Sequence, residues 1–162
     1  VEIKEYRVWD NAIEAVFDRN YKTTLNSLKA IIPHLKQNKY GKVVTTSSIS
    51  ANYGVEKETA YSVSKAAIIQ LTRSVATECR AMGVNVNCIA PGATLTGRFL
   101  ANIENRSDED KEKIYSTEGS ILIKPAEPSS ISSVVSFLIS EESKYISGQV
   151  IRIDGGQFTS PM

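Results

Sequence analysis

Three short strand patterns alternate with amphipathic helices along the chain, and this order constrains the fold more than any other feature. The predicted strands are residues 43–46, 84–89 and 149–153, which are rich in Val and Ile. An apolar stripe at helical spacing covers residues 21–37, and a second long helix is predicted over 59–82. Strands joined through helices favour right-handed crossovers and parallel pairing. We therefore expect an α/β fold whose helices cover both faces of a parallel sheet.

Local signals set several element boundaries. A short helical stretch at about 11–18, with Asp10 as a plausible cap, leads into the first long helix. Gly83 is predicted to end the second long helix, because glycine readily takes the left-handed conformation found there. Pro128 is predicted to begin a further helix that continues through Ile139.

Composition narrows the class of protein. The chain has 162 residues and is 41% hydrophobic, which fits one globular domain. Its net charge is +1, from 19 basic and 18 acidic side chains, so it has no strong electrostatic field that would attract nucleic acid or anionic lipid. No apolar run reaches the length of a membrane span, and the first residues lack a signal-peptide core. Cys79 and Cys88 form no disulfide pattern, and no His, Cys, Asp and Glu cluster has the spacing of a metal site. We expect a cytoplasmic protein with no nucleic-acid, membrane or metal partner.

Tyr61 and Lys65 place a phenol and an ammonium on one helical face, one turn apart. A free tyrosine titrates near 10, too high for useful proton exchange at neutral pH. A lysine at about 5 Å, with an effective dielectric of about 20, stabilises a phenolate by about 3 kcal/mol. The pair is therefore a candidate acid/base couple, although a solvated helix could carry the same two residues by chance.

Three further polar or glycine-containing positions stand at fixed intervals around this pair. Ser48, at the end of the first predicted strand, lies 13 residues before Tyr61, and Asn20 lies 28 residues before Ser48. The neighbouring Ser47 lies 14 residues before Tyr61. After the next strand comes a Pro-Gly-x-x-x-Thr segment, from Pro91 to Thr96.

These positions together resemble the signature of the short-chain dehydrogenase/reductase family. That signature has an Asn on one helix, a Ser at a strand end and Tyr-x-x-x-Lys on the next helix, followed by Pro-Gly-x-x-x-Thr. The segment 145–156 is similar to the family's last strand and turn, so the resemblance runs from about residue 10 to residue 156. It implies a Rossmann-like α/β/α fold, in which residues 1–162 form a single domain, the C-terminal catalytic portion.

The resemblance also implies roles for individual residues. Tyr61 would be the general acid and base, Ser48 would hydrogen-bond the same substrate oxygen, and Lys65 would assist Tyr61 and bind ribose hydroxyls. The Asn20 backbone would hold a water on Lys65. The residues implied in cofactor binding are Tyr61, Lys65, Pro91, Gly92 and Thr96. Each also has a plainer explanation, such as a strand-end turn for Ser48, a surface amide for Asn20 and a helix cap for Thr96.

The family's glycine-rich cofactor turn is not found in these 162 residues. None of the nine glycines forms the pattern Thr-Gly-x-x-x-Gly-x-Gly, whose backbone amides bind the cofactor pyrophosphate. By comparison with the family, we expect about 90 residues of the dinucleotide-binding half before Val1. A naturally shortened relative is the alternative. The choice between NAD and NADP cannot be read from this chain.

The resemblance therefore implies an NAD(P)-dependent oxidoreductase that interconverts an alcohol and a ketone, of the EC 1.1.1 class, provided that the preceding half is present. The alternatives are an inactive, truncated relative that serves as an oligomerisation module, and a family member that acts as an epimerase or lyase. Residues 97–118 would form a mobile substrate lid. A homodimer or homotetramer is expected through helices 11–37 and 59–82, with a second interface near 149–158.

Overall fold

The structure is a computed structural model that describes residues 12–53, 58–104, 107–115 and 120–159. Six α-helices occur in these ranges: α1 Ala12–Phe17, α2 Thr23–Asn38, α3 Thr59–Cys79, α4 Gly97–Glu104, α5 Asp108–Tyr115 and α6 Pro128–Ile139. The strands of the same ranges are β1 Gly41–Thr46, β2 Val84–Pro91 and β3 Val150–Ile153. Short 3-10 turns lie at Ile49–Ala51, Arg80–Met82, Ile121–Ile123 and Glu141–Ser143.

The three strands form one parallel sheet in the order β1, β2, β3. Gly41 pairs with Val84 at the start of β1, and Cys88 pairs with Val150 at the start of β3. The predicted parallel sheet is confirmed. Within the described residues, β1 pairs with β2 alone, so its other edge has no strand beside it.

One face of the sheet packs on α2 and α3. Side chains alternate along a strand, so Val43 and Val86 point to this face and join the core there. Thr45 lies on the same face and its hydroxyl is 2.6 Å from that of Thr72 in α3. The buried members of this core are Leu28, Ile32, Ala76, Cys79, Val84 and Val86.

The opposite face is covered by α6. Lys42, which alternates with Val43, points to that face, and its ammonium donates a hydrogen bond of 2.5 Å to the Ser140 carbonyl directly after α6. Asn85, which alternates with Val86, donates to the Ile146 carbonyl on the same side. The fold is therefore a three-layer arrangement of helix, sheet and helix, as the sequence predicts.

The first two predicted helices are one continuous helix with a wider turn between them. Residues Asp18–Lys22 form a π-helical turn between α1 and α2. Asn20 lies in the middle of this turn, whereas the sequence pattern indicated only a helix leading into another. Asp10, the predicted cap, lies outside the described residues.

The predicted stop at Gly83 is confirmed. Its φ is +70°, and an added Cβ would lie 2.6 Å from the Lys39 carbonyl oxygen, so both the conformation and the close approach require glycine. Cys79 and Cys88 are free and buried, as expected. No helix in the described ranges is long and apolar enough to cross a membrane. The same ranges contain no group of three or more His, Cys, Asp or Glu placed to hold a metal ion.

Candidate active site

A cleft of about 640 Å³ opens at the carboxyl ends of β1 and β2. Ligands of open parallel sheets bind at this edge. The sheet and the loops after it contribute Thr46, Ser47, Ser48, Ile89, Pro91, Gly92, Thr94 and Thr96 to the lining. The helices contribute Tyr61, Lys65, Pro128, Ile131, Ser132, Val135 and Ser136.

Tyr61 and Lys65 both lie in the first two turns of α3 and line this cleft. The Lys65 ammonium is 5.7 Å from the centroid of the Tyr61 ring and donates a hydrogen bond of 3.1 Å to the Thr46 carbonyl. Burial lowers the pKa of Lys65, and negative charge on the nearby Cys88 sulfur opposes this shift in part. The ammonium is thus fixed beside the phenol by the end of β1.

The two serines after β1 have different contacts. Ser48 is buried, and its hydroxyl oxygen accepts a hydrogen bond of 3.2 Å from the Ser50 amide. Because that bond uses an oxygen lone pair, the Ser48 proton can be donated into the cleft. Ser47 instead donates its hydroxyl to the Lys65 carbonyl at 2.8 Å. The structure therefore gives Ser47 a supporting contact with α3.

Asn20 does not line the cleft. Its side-chain amide donates to the Ser64 hydroxyl at 3.0 Å, and that hydroxyl donates to the Tyr61 carbonyl at 2.8 Å. The Asn20 carbonyl accepts a hydrogen bond of 2.9 Å from the Thr24 hydroxyl, whereas the Thr23 hydroxyl is 2.7 Å from the Arg19 carbonyl and 3.1 Å from that of Asn20. Asn20 is connected to the Tyr61 backbone through one intermediate side chain, Ser64, which sequence reasoning missed.

Pro91, Gly92 and Thr96 all line the cleft, and the last two have structural roles as well. A Cβ on Gly92 would lie 3.2 Å from the Asp154 backbone, so glycine lets the end of β3 approach. The Thr96 hydroxyl accepts a hydrogen bond of 3.3 Å from the Phe99 amide and caps α4. Thr96 is therefore a helix cap, the plainer of the two roles considered for it, and it also lines the cleft.

Sequence reasoning missed the contribution of α6. Ile131, Ser132, Val135 and Ser136 recur one turn apart and line the cleft. This spacing marks one helical face, but it does not say what the face contacts. The residues 97–118 form α4 and α5 where described, and no described residue of either helix lines the cleft.

The cleft thus combines a serine hydroxyl, a phenol and a partly buried ammonium with apolar and hydroxyl side chains of α6. Such donors stabilise negative charge that develops on an oxygen, because they are already oriented before the charge appears. A phenol beside a cation can also transfer a proton. This is a site suited to reactions at a carbonyl or alcohol oxygen.

The chain belongs to the short-chain dehydrogenase/reductase family. A family model described as enoyl-(acyl carrier protein) reductase matches residues 6–157, which confirms the resemblance found in the sequence.

Individual relatives agree with this assignment. The chain is 35% identical over 142 residues to oxidoreductase UcpA of Salmonella typhimurium, covering 86% of this chain and 54% of that protein. It is 32% identical over 148 residues to 3-oxoacyl-(acyl-carrier-protein) reductase FabG of Thermotoga maritima, covering 91% and 56%. The solved structure of ElxO with NADP bound superposes with a TM-score of 0.78 at 26% identity, covering 95% and 60%. The chain spans about half the length of the curated relatives that it matches.

Proposed function

We propose that this protein is part of an NAD(P)-dependent oxidoreductase that interconverts an alcohol and a ketone by hydride transfer. The observation that carries the proposal is the convergence of Ser48, Tyr61 and Lys65 on one cleft at the carboxyl edge of the parallel sheet. Ser48 follows β1, whereas Tyr61 and Lys65 lie on α3, so the three residues reach the same cleft only through the fold.

The cleft residues suit one end of a nicotinamide dinucleotide. Lys65 offers an ammonium to ribose hydroxyls, and the backbone near Pro91 and Gly92, with the Thr96 hydroxyl, would contact the nicotinamide or pyrophosphate. None of the described glycines forms a turn of the kind that binds pyrophosphate. Either NAD or NADP fits this half of the site. When bound, the cofactor supplies or accepts the hydride at the carbon of the reacting group.

The protein's own residues transfer the proton and stabilise the developing charge. During reduction, Tyr61 donates its phenolic proton to the substrate oxygen, and Ser48 donates a hydrogen bond to the same oxygen as negative charge develops there. The ammonium of Lys65, on the Thr46 carbonyl, stabilises the phenolate that results. Tyr61 accepts the proton in the reverse direction. The Asn20 backbone would hold a water that returns protons from solvent to Lys65.

We also propose residues 97–118, which begin directly after the cleft residue Thr96, as the substrate lid. We place the reaction in the cytoplasm and the protein in a homodimer or homotetramer. Residues 1–162 then form the single catalytic portion of a longer Rossmann-like domain.

Tyr61→Phe tests the function, because it removes one oxygen and its proton while keeping the ring. In the protein that includes the dinucleotide-binding half, turnover in a panel of alcohols and ketones should fall by at least about 100-fold, with NAD(P)H affinity and thermal stability nearly unchanged. Ser48→Ala should lower mainly kcat, and Lys65→Ala should lower both kcat and cofactor affinity. Near-normal turnover in Tyr61→Phe would refute the assignment, and a wild-type protein inactive with every substrate would favour the oligomerisation module.

A further inference from the structure

The first turn of α3 carries Tyr61, and the described part of the chain supplies no side-chain cap for it. Tyr61 is the third residue of this helix, and Glu58 at the N-cap makes no capping hydrogen bond. First turns without caps fray readily, because their amides lack intrahelical partners. A phenol that must meet a reacting oxygen within a fraction of an ångström therefore needs another support.

Ser64 supplies a contact of this kind. It is fully buried, and its hydroxyl donates to the Tyr61 carbonyl at 2.8 Å across the first turn. The same hydroxyl oxygen accepts the Asn20 side-chain amide at 3.0 Å. The hydroxyl thus connects the backbone of Tyr61 to a different helix.

The turn between α1 and α2 holds Asn20 in position for this contact. Asn20 lies in the π-helical turn Asp18–Lys22, where the backbone is wider than in an α-helix. The Thr24 hydroxyl donates to its carbonyl, and the Thr23 hydroxyl bridges the Arg19 and Asn20 carbonyls, so the backbone of this turn is held in place. The amide of Asn20 is therefore presented to α3 from a fixed position.

We propose that Ser64 is a positioning residue that fixes Tyr61 for proton transfer by linking the Tyr61 carbonyl to the π-turn through Asn20. This inference rests on the proposed function of Tyr61. Ser64 does not touch the substrate, since it is absent from the cleft lining. Its effect is to restrict the motion of the first turn of α3.

Ser64→Ala in the protein that includes the dinucleotide-binding half is the first variant. It should lower kcat by about 10 to 100-fold, the usual cost of a small misplacement of a catalytic group, and leave KM within about twofold. In a sample labelled with ¹³C on the hydroxyl-bearing ring carbon of tyrosine, the Tyr61 resonance, assigned with Tyr61→Phe, should move and broaden. This spectroscopic readout does not require a known substrate.

Thr72→Ala is the matched control. Thr72 is equally buried on α3, and its hydroxyl donates to the Ile68 carbonyl at 2.8 Å, but it lies two turns beyond Ser64. It should lower the melting temperature without moving the Tyr61 resonance or changing kcat. A purely structural role for Ser64 would make the two variants alike.

Asn20→Ala removes the other end of the same series of hydrogen bonds, and it replaces Ser64→Ala as the test if that variant fails to fold. The double variant should have nearly the same kcat as the worse single variant, because both changes interrupt one connection. An unmoved Tyr61 resonance in folded Ser64→Ala, or fully additive losses in the double variant, would overturn the proposal. If wild type proves inactive while the resonance still moves in Ser64→Ala, the proposed function fails and the positional link stands.

Discussion

At the scale of single residues, Lys65 combines its proposed chemical role with a thermodynamic cost. Its ammonium is partly withdrawn from water, and burial lowers its pKa below the ordinary value of 10.5. The Thr46 carbonyl accepts a hydrogen bond from the Lys65 ammonium, and the Tyr61 ring lies beside that ammonium. A cation kept in this position is available to stabilise a phenolate, but the folded state bears the desolvation penalty.

This penalty predicts a specific pH dependence of stability. The pKa of Lys65 is lower in the folded state, so the unfolded chain binds more protons just below pH 10.5. The destabilising effect of Lys65 therefore decreases as pH rises, and the free energy of unfolding increases. The free energy of unfolding of wild type minus that of Lys65→Met should therefore increase between about pH 8 and about pH 10. Urea unfolding at both values measures the difference.

Lys22→Met is the control with the opposite sign. The hydrogen bond and charge of Asp18 raise the pKa of Lys22, so its contribution to stability is lost as pH rises through that value. The free energy of unfolding of wild type minus that of Lys22→Met should stay nearly constant between about pH 8 and about pH 10 and fall only at higher pH, by a small amount because solvent screens this exposed pair. A difference for Lys65→Met that does not change with pH would contradict the assigned burial cost.

At the scale of elements, the turn from α3 into β2 depends on Gly83. A side chain there would adopt an unfavourable left-handed conformation and press against the Lys39 carbonyl oxygen after α2. Gly83→Ala should cost about 2 kcal/mol or more, a fall in melting temperature of about 4 to 8 °C. Differential scanning calorimetry measures this change.

Gly97→Ala is the matched comparison for that substitution. Gly97 begins α4, and a Cβ built there meets no atom within 4 Å. We expect a change within about 0.5 kcal/mol, since surface substitutions of this kind are nearly neutral. An equal fall in melting temperature in Gly83→Ala and Gly97→Ala would show that the left-handed conformation of Gly83 is not the cause of the destabilisation.

At the scale of the whole molecule, the outer faces of α2 and α3 carry exposed apolar side chains. Ile31 on α2 is 41% exposed and Val63 on α3 is 47% exposed. These are the helices predicted from the sequence to pair between subunits, and exposed aliphatic groups on them fit an interface. The proposed assembly is a homodimer or homotetramer.

Light scattering at micromolar concentration checks the assembly. The wild-type protein that includes the dinucleotide-binding half should have the mass of two or four chains, and Ile31→Lys or Val63→Lys should reduce it. Tyr145→Lys, at a fully exposed position off these helices, should leave the mass unchanged. A monomeric wild type would contradict the proposal.

The sequence by itself determined the order of elements and most candidate site residues. Alternating side chains, glycine stops and fixed intervals are local properties, so β1, β2, α3 and the Tyr61–Lys65 pair could be predicted from neighbouring residues alone. The resemblance to a family then related Asn20 and Ser48 to that pair across longer intervals.

Only the tertiary structure decided which of these residues share a cleft and what supports them. The π-turn at Asn20 and the burial of Ser64 depend on how α1 and α2 pack on α3, which no local pattern encodes. The same is true of the α6 face that lines the cleft. Contacts between distant segments arise because the hydrophobic core brings them together, and burial of apolar area is set by the whole fold instead of by any one stretch of sequence.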